Sequence, residues 1–148
     1  MKENDNIIEQ TNAIISRTVN NQLEFLLVEE LGGGLWSLPG GAREQEDESI
    51  EAAMKRELKE ELGLQEHEYD LQATKIQARC FYDNPDSSRC GKTGVISLFF
   101  IHPHDISRLK ATSDLEKIQW ATLKEAKKMF TFNCHRELVD RAAKKLDQ

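Results

Sequence analysis

Glu57, Glu60 and Glu61 place three carboxylates so that, on a helix, Glu57 reaches each of the other two at i,i+3 or i,i+4. Like charges at those distances are mildly destabilising. These crowd the last turns of the predicted helix, where the dipole favours cations. A helix serving only as scaffold would gain more from lysines there. A divalent cation offsets the repulsion, and binding one is the chemistry this cluster suggests. The competing interpretation is a solvated acidic face. The chain carries 26 acidic residues, and Glu51, Lys55 and Lys59 can neutralise part of the cluster through i,i+4 pairs.

The elements that must hold the cluster lie in segment 38–64. A tight turn at Pro39-Gly40-Gly41 opens it, a helical pattern covers 49–62, and Gly63 is the stop signal. Ile50, Ala53, Met54, Leu58 and Leu62 supply the apolar stripe. Upstream, 13–19 reads as a strand, Asn20-Asn21 as a turn, and 23–29 as a second strand, apolar at nearly every position. Such weak alternation indicates burial on both faces. Gly32-Gly33-Gly34 is a flexible connection and not a phosphate loop, because no GKS or GKT follows and GxGxxG spacing is absent. Trp36 and Leu38 alternate as a very short strand leading into Pro39.

Beyond the helix, 71–82 reads as a strand and 84–94 as a loop in which Arg89 and Lys92 are candidates to meet phosphates. Segment 95–102 is the clearest buried strand of the second half, ended by Pro103. A strand at 117–121 leads to Thr122, which with Glu125 forms a capping box for a short helix ending near Phe130. An amphipathic helix over 133–146 closes the chain. Strands precede and follow a central helix, and both sheet faces need cover. This favours an α/β sandwich with a mixed sheet over a bundle or an all-β domain. Residues 1–10 are expected to be a flexible segment and 11–148 a single domain.

A chain of 148 residues, 39% hydrophobic and 31% charged, has the balance of a soluble globular domain with a full core. No run is long enough to span a bilayer, and MKENDNIIEQ lacks the form of a signal peptide, so a cytoplasmic location and no membrane partner are expected. A net charge of −6 argues against broad capture of nucleic acid and means that anionic ligands need cations at the site. Cys80, Cys90 and Cys134 cannot all pair, and without CxxC spacing they are expected to be ordinary thiols of a reducing compartment. Cys134 and His135 are neighbours that point different ways on a helix, which does not suggest a nucleophile and its base.

Pro39-Gly40-Gly41, followed by the block Arg56-Glu57-Leu58-Lys59-Glu60-Glu61-Leu62-Gly63-Leu64, resembles the signature of the Nudix hydrolase family. That pattern is a glycine, five residues, a glutamate, seven residues, then REUxEExGU, where U is a bulky aliphatic. The second half is complete here. Counting back from Arg56 puts the first glutamate on Glu48 but the glycine on Ala42, so Gly41 stands one residue early. This reads as a single-residue insertion within 42–47. The order of the other elements is also similar to the family's, including a tryptophan shortly before the capping threonine. The resemblance implies an α/β/α sandwich with a central mixed sheet and the signature as loop, helix and loop.

It also implies hydrolysis of a pyrophosphate bond in a nucleoside diphosphate linked to another moiety, a small nucleotide derivative, with Mg2+ or Mn2+ as cofactor. Carried onto this chain, Glu57 and Glu61 are the principal metal ligands and Glu60 is a third ligand or holds a water. The Gly41 carbonyl is a further ligand, and a Glu48–Arg56 pair gives structural support. The general base comes from the signature or a later loop, where Asp114 and Glu116 are the candidates and Glu116 is adopted. Family members are often dimers, so a homodimer stays open, with strand 95–101 as core or interface. The alternative reading is a catalytically inactive Nudix-like module that binds a nucleotide or regulates, although no ligand glutamate is lost. Substrate choice rests on loops outside the signature.

Overall fold

The computed structural model describes residues 6–83, 85 and 89–147. In chain order the elements are β1 (Ile7–Ile14), β2 (Ser16–Val19), β3 (Gln22–Glu30), β4 (Trp36–Ser37), β5 (Gly40–Ala42), α1 (Ile50–Leu62), β6 (Tyr69–Phe81), β7 (Thr93–Pro103), β8 (Leu115–Thr122), α2 (Leu123–Met129) and α3 (Asn133–Leu146), with 3-10 turns at Glu66–Glu68 and Ile106–Arg108. β1 runs parallel to β7 and antiparallel to β5, and β6 pairs antiparallel with β7, giving a mixed sheet of order β5-β1-β7-β6. β3 is the hub of a second, antiparallel sheet and pairs with β2, β4 and β8.

The missing alternation in the apolar strands has a direct cause. In β3, Phe25 and Leu27 enter one core while Leu26 and Val28 enter another. In β7, Ile96, Leu98 and Phe100 share the first core, and Phe99 and Ile101 the second. Helices α2 and α3 cover the first through Ala126, Leu138, Val139 and Ala142, and α1 covers the second through Met54, Leu58 and Leu62. The architecture is the expected α/β/α sandwich.

Two expectations are corrected. The first strand starts at Ile7, paired with Thr93, so strand structure takes up part of the segment expected to be flexible; residues 1–5 lie outside the described residues. Cys80 and Cys134 are not free thiols: a disulfide joins β6 to the first turn of α3, while Cys90 is an exposed thiol. Of the loop expected at 84–94, residues 84 and 86–88 also lie outside the described residues. No helix among the described residues is long and apolar enough to cross a membrane.

Candidate active site

Helix α1 is fixed at both ends. The Ser49 side chain accepts from the Ala52 N–H, and Gly63, in the left-handed region at φ 66°, donates its N–H to the carbonyls of Leu58 and Lys59. With Met54, Leu58 and Leu62 buried beneath it, the helix holds Glu57 and Glu61 against the backbone strap 38–42. The Gly40 N–H donates to Glu61 Oε1 at 2.8 Å. Glycine is required at position 40, and at position 41 a side chain would displace the Glu57 carboxylate. Gly40 has φ +144°, and a Cβ there would lie 2.0 Å from the Thr11 carbonyl oxygen; a Cβ on Gly41 would come within 2.6 Å of Glu57 Oε1.

Charge is concentrated where the strap and helix meet. Burial, reinforced by the Glu57 charge, pushes the Glu61 carboxyl up to about 8, against the pull of the Gly40 N–H, and Glu30 and Asp114 add repulsion. Glu57 is also raised, chiefly by burial, with Arg56 opposing. Glu60 is more exposed, and its carboxylate stands 3.1 Å from Arg56 Nη1. Among the described residues no group of three or more acidic, histidine or cysteine side chains is gathered as a metal cage. The donors that do converge are all oxygens, two carboxylates beside a glycine backbone, which suits a hard cation such as Mg2+ or Mn2+.

Arg56 anchors the loop, but not through Glu48. Its Nε and Nη2 meet Asp47 at 3.0 and 2.9 Å, Nη2 also donates to the Ala42 carbonyl at 3.0 Å, and Nη1 to Glu57 Oε1 at 3.0 Å. These bonds hold the Asp47 carboxyl below its usual range. Glu48 is exposed, and its carbonyl accepts from Arg43 Nη2. Counted forward, Gly41, five residues and then Asp47 also matches the family spacing, with aspartate in place of glutamate. On that count the extra residue falls between Asp47 and Arg56.

Glu116 is engaged elsewhere, its Oε1 accepting from the Gly32 N–H at 2.9 Å, where it pins the triple-glycine turn. Asp114 is the acid of this later loop whose charge acts on Glu61. Thr112 ties that loop to α1, donating its N–H to the Glu61 carbonyl at 3.0 Å and its hydroxyl to the Glu60 carbonyl. Glu30, at the end of β3, also acts on Glu61; its own carboxyl is raised by burial and opposed by Arg89. No motif marks Glu30 in the sequence, and only the β3–β8 pairing shows how it arrives. Arg89 lies 5.6 Å over the Tyr82 ring, and its charge opposes the rise at Glu30. Tyr82 itself is buried, with its hydroxyl donating to Gln10 Oε1. Trp36 packs against the α2/α3 core under Lys117, whereas Phe81 is exposed. His102 contacts Gln72 and His104 contacts Asp70.

A carboxylate-bearing helix pressed on a glycine strap within an α/β/α sandwich defines a class of site as well as a fold. The NUDIX domain model matches residues 10–142, and the chain belongs to the Nudix family. Solved structures agree in fold. An Ap4A hydrolase of C. elegans is 18% identical with a TM-score of 0.73, covering 95% of this chain and 98% of that one. The E. coli dihydroneopterin triphosphate pyrophosphohydrolase is 14% identical with a TM-score of 0.71, covering 90% and 92%. The NUDIX domain of Shewanella oneidensis NrtR, solved with ADP-ribose, is 20% identical with a TM-score of 0.64, covering 99% of each. No match was found among curated protein sequences. Family membership supports a Nudix-type hydrolytic function in general, and members typically use divalent metal ions.

Proposed function

We propose that the protein is a divalent-metal-dependent hydrolase that cleaves a pyrophosphate bond in a small nucleoside diphosphate derivative. The observation that carries this reading is the pair Glu57 and Glu61, partly buried, mutually repelling and each pressed onto a strap glycine. Glu57, Glu61 and the Gly41 carbonyl would hold the cation, with Glu60 beside them. When bound, Mg2+ or Mn2+ neutralises phosphate oxygens and lowers the pKa of a water. Arg56 and Asp47 lock the loop so that Glu57 keeps its place on Gly41. Asp114 takes the proton of the attacking water as its oxygen bonds to phosphorus and the bridging P–O bond breaks.

The test is release of phosphate, after coupling to a phosphatase, from a panel with Mg2+ or Mn2+. Ap4A, dihydroneopterin triphosphate and ADP-ribose, the compounds named with the similar structures, belong in it beside oxidised and ordinary nucleoside triphosphates and nucleotide sugars. Turnover that needs the metal and disappears in Glu61→Gln supports the reading. Asp114→Asn should lower kcat by about 10²-fold or more, as for loss of a general base, while Glu116→Gln leaves it within a few-fold. Nucleotide binding without turnover on any compound would replace the hydrolase with the inactive binding module.

A further inference from the structure

His135 is buried in the first turn of α3, 5% exposed, while His67, His102 and His104 are exposed. Its Nδ1 accepts from the Leu38 N–H at 3.0 Å. The ring is packed by Phe130 and Phe132, with centroids 5.7 and 6.1 Å away, and the neighbouring Cys134 ties the same turn to β6. Burial holds the imidazole well below its ordinary pKa, at about 4, so it stays neutral and Nδ1 keeps its lone pair at neutral pH.

The Leu38 peptide is clamped on its other side as well. Asn12 Nδ2 donates to the Leu38 carbonyl at 3.0 Å and to the Pro39 carbonyl at 3.2 Å, and the Ala13 N–H donates to the Pro39 carbonyl at 2.8 Å. Pro39 has no N–H and a restricted φ, so it passes the placement of Leu38 on with little slack. The next N–H, that of Gly40, is the one on Glu61. Leu38 is buried, so its N–H has no water to turn to if the imidazole is removed.

We propose that His135 is a positioning residue: from the α3 layer it fixes the strap so that Gly40 and Gly41 meet Glu61 and Glu57 of the α1 layer. This rests on the reading of Glu57 and Glu61 as the cation site. The experiment compares His135→Leu, which fills the space without an acceptor, with His135→Asn, whose Oδ1 replaces Nδ1. Three quantities are measured: amide hydrogen exchange at Leu38 and Gly40, Mn2+ affinity by titration, and kcat and KM on the best panel substrate.

His135→Leu should speed exchange at both amides about tenfold or more, weaken Mn2+ binding by a similar factor, and lower kcat with KM nearly unchanged. His135→Asn should return all three to within about threefold of the parent protein. If His135→Leu does not fold, His135→Gln takes its place, since its amide reaches the Nε2 position instead, and it should lose what the asparagine keeps. A fall in thermal stability with Gly40 exchange and Mn2+ affinity unchanged overturns the proposal, as does an asparagine variant no better than leucine. If the parent protein binds no Mn2+, the cation reading fails by itself and Gly40 exchange alone decides the role of His135.

Discussion

Replacing Glu61 with glutamine should stabilise the metal-free protein in a pH-dependent way. The folded carboxyl titrates at about 8, against 4.5 without the fold. A carboxyl raised in the folded state binds more protons there than in the unfolded chain, so stability falls as pH rises from 4.5 through 8. The fall is steepest midway between those values, at about 1.36 kcal/mol for each pH unit, and flattens towards either end. Between pH 5 and pH 8 it amounts to a few kcal/mol, on the order of 3. For a domain of this size that is a fall in Tm on the order of 10 °C. Glutamine cannot ionise, and its side-chain oxygen can still accept from the Gly40 N–H. Thermal melts of both proteins in chelator should therefore converge as pH falls below about 4.5 and separate by a few kcal/mol at pH 8, with Glu61→Gln the more stable. Saturating Mn2+ should then raise the Tm of the parent protein and leave the variant unchanged. Parallel pH profiles for the two proteins, or a less stable variant at pH 8, would refute the claim that Glu61 is held in a repulsive, partly buried site.

Other consequences are equally direct. Asp47→Ala should cost about 1–3 kcal/mol in a denaturant titration, because the Arg56 guanidinium loses its main partner, whereas Glu48→Ala should fall within about 0.5 kcal/mol of zero. Equal costs would return the loop to the other register. Gly40→Ala should destabilise by more than about 2 kcal/mol and weaken Mn2+ binding, since the Cβ meets the β1 backbone in a strained conformation. Replacing Cys80 and Cys134 by serine should lower stability by about 4 kcal/mol, the chain-entropy value for a cross-link spanning 54 residues. A melt indifferent to reductant would contradict that bond.

How much of the fold can be read from the sequence depends on whether side-chain type betrays the environment. Helix α1 is legible because its cap, stripe and stop are local: Ser49, the Ile50-to-Leu62 periodicity and Gly63. The two-faced burial of β3 and β7 shows as unbroken apolar runs. The start of β1 is hidden because its buried residues Gln10, Thr11 and Asn12 are polar. They are tolerated there by partners distant in sequence, Tyr82 for Gln10, Met54 for Thr11 and the strap carbonyls for Asn12. β5 reads as a turn because two of its three residues are glycines, and their need comes from contacts with β1 and Glu57.

Within the site, Glu57, Glu60 and Glu61 are legible from spacing, and the structure brings Glu57 and Glu61 onto the strap while Glu60 turns to Arg56. Counting back from the helix block puts the partner of Arg56 one residue late, on Glu48. Counted forward from Gly41, the spacing lands on Asp47, the residue that Arg56 holds. Glu30, Asp114 and the Cys80–Cys134 bond depend on pairings between remote segments, which spacing alone does not encode.

Whether Glu57 and Glu61 hold a divalent cation on the strap is decided by titrating Mn2+ into the parent protein and into Glu57→Gln, Glu61→Gln and Glu48→Gln. The parent should show one saturable site, tightening about tenfold per pH unit up to pH 8 as Glu61 gives up its proton. That site should be lost in the first two variants and retained in Glu48→Gln. Binding of equal strength in the parent, Glu57→Gln and Glu61→Gln would contradict that assignment.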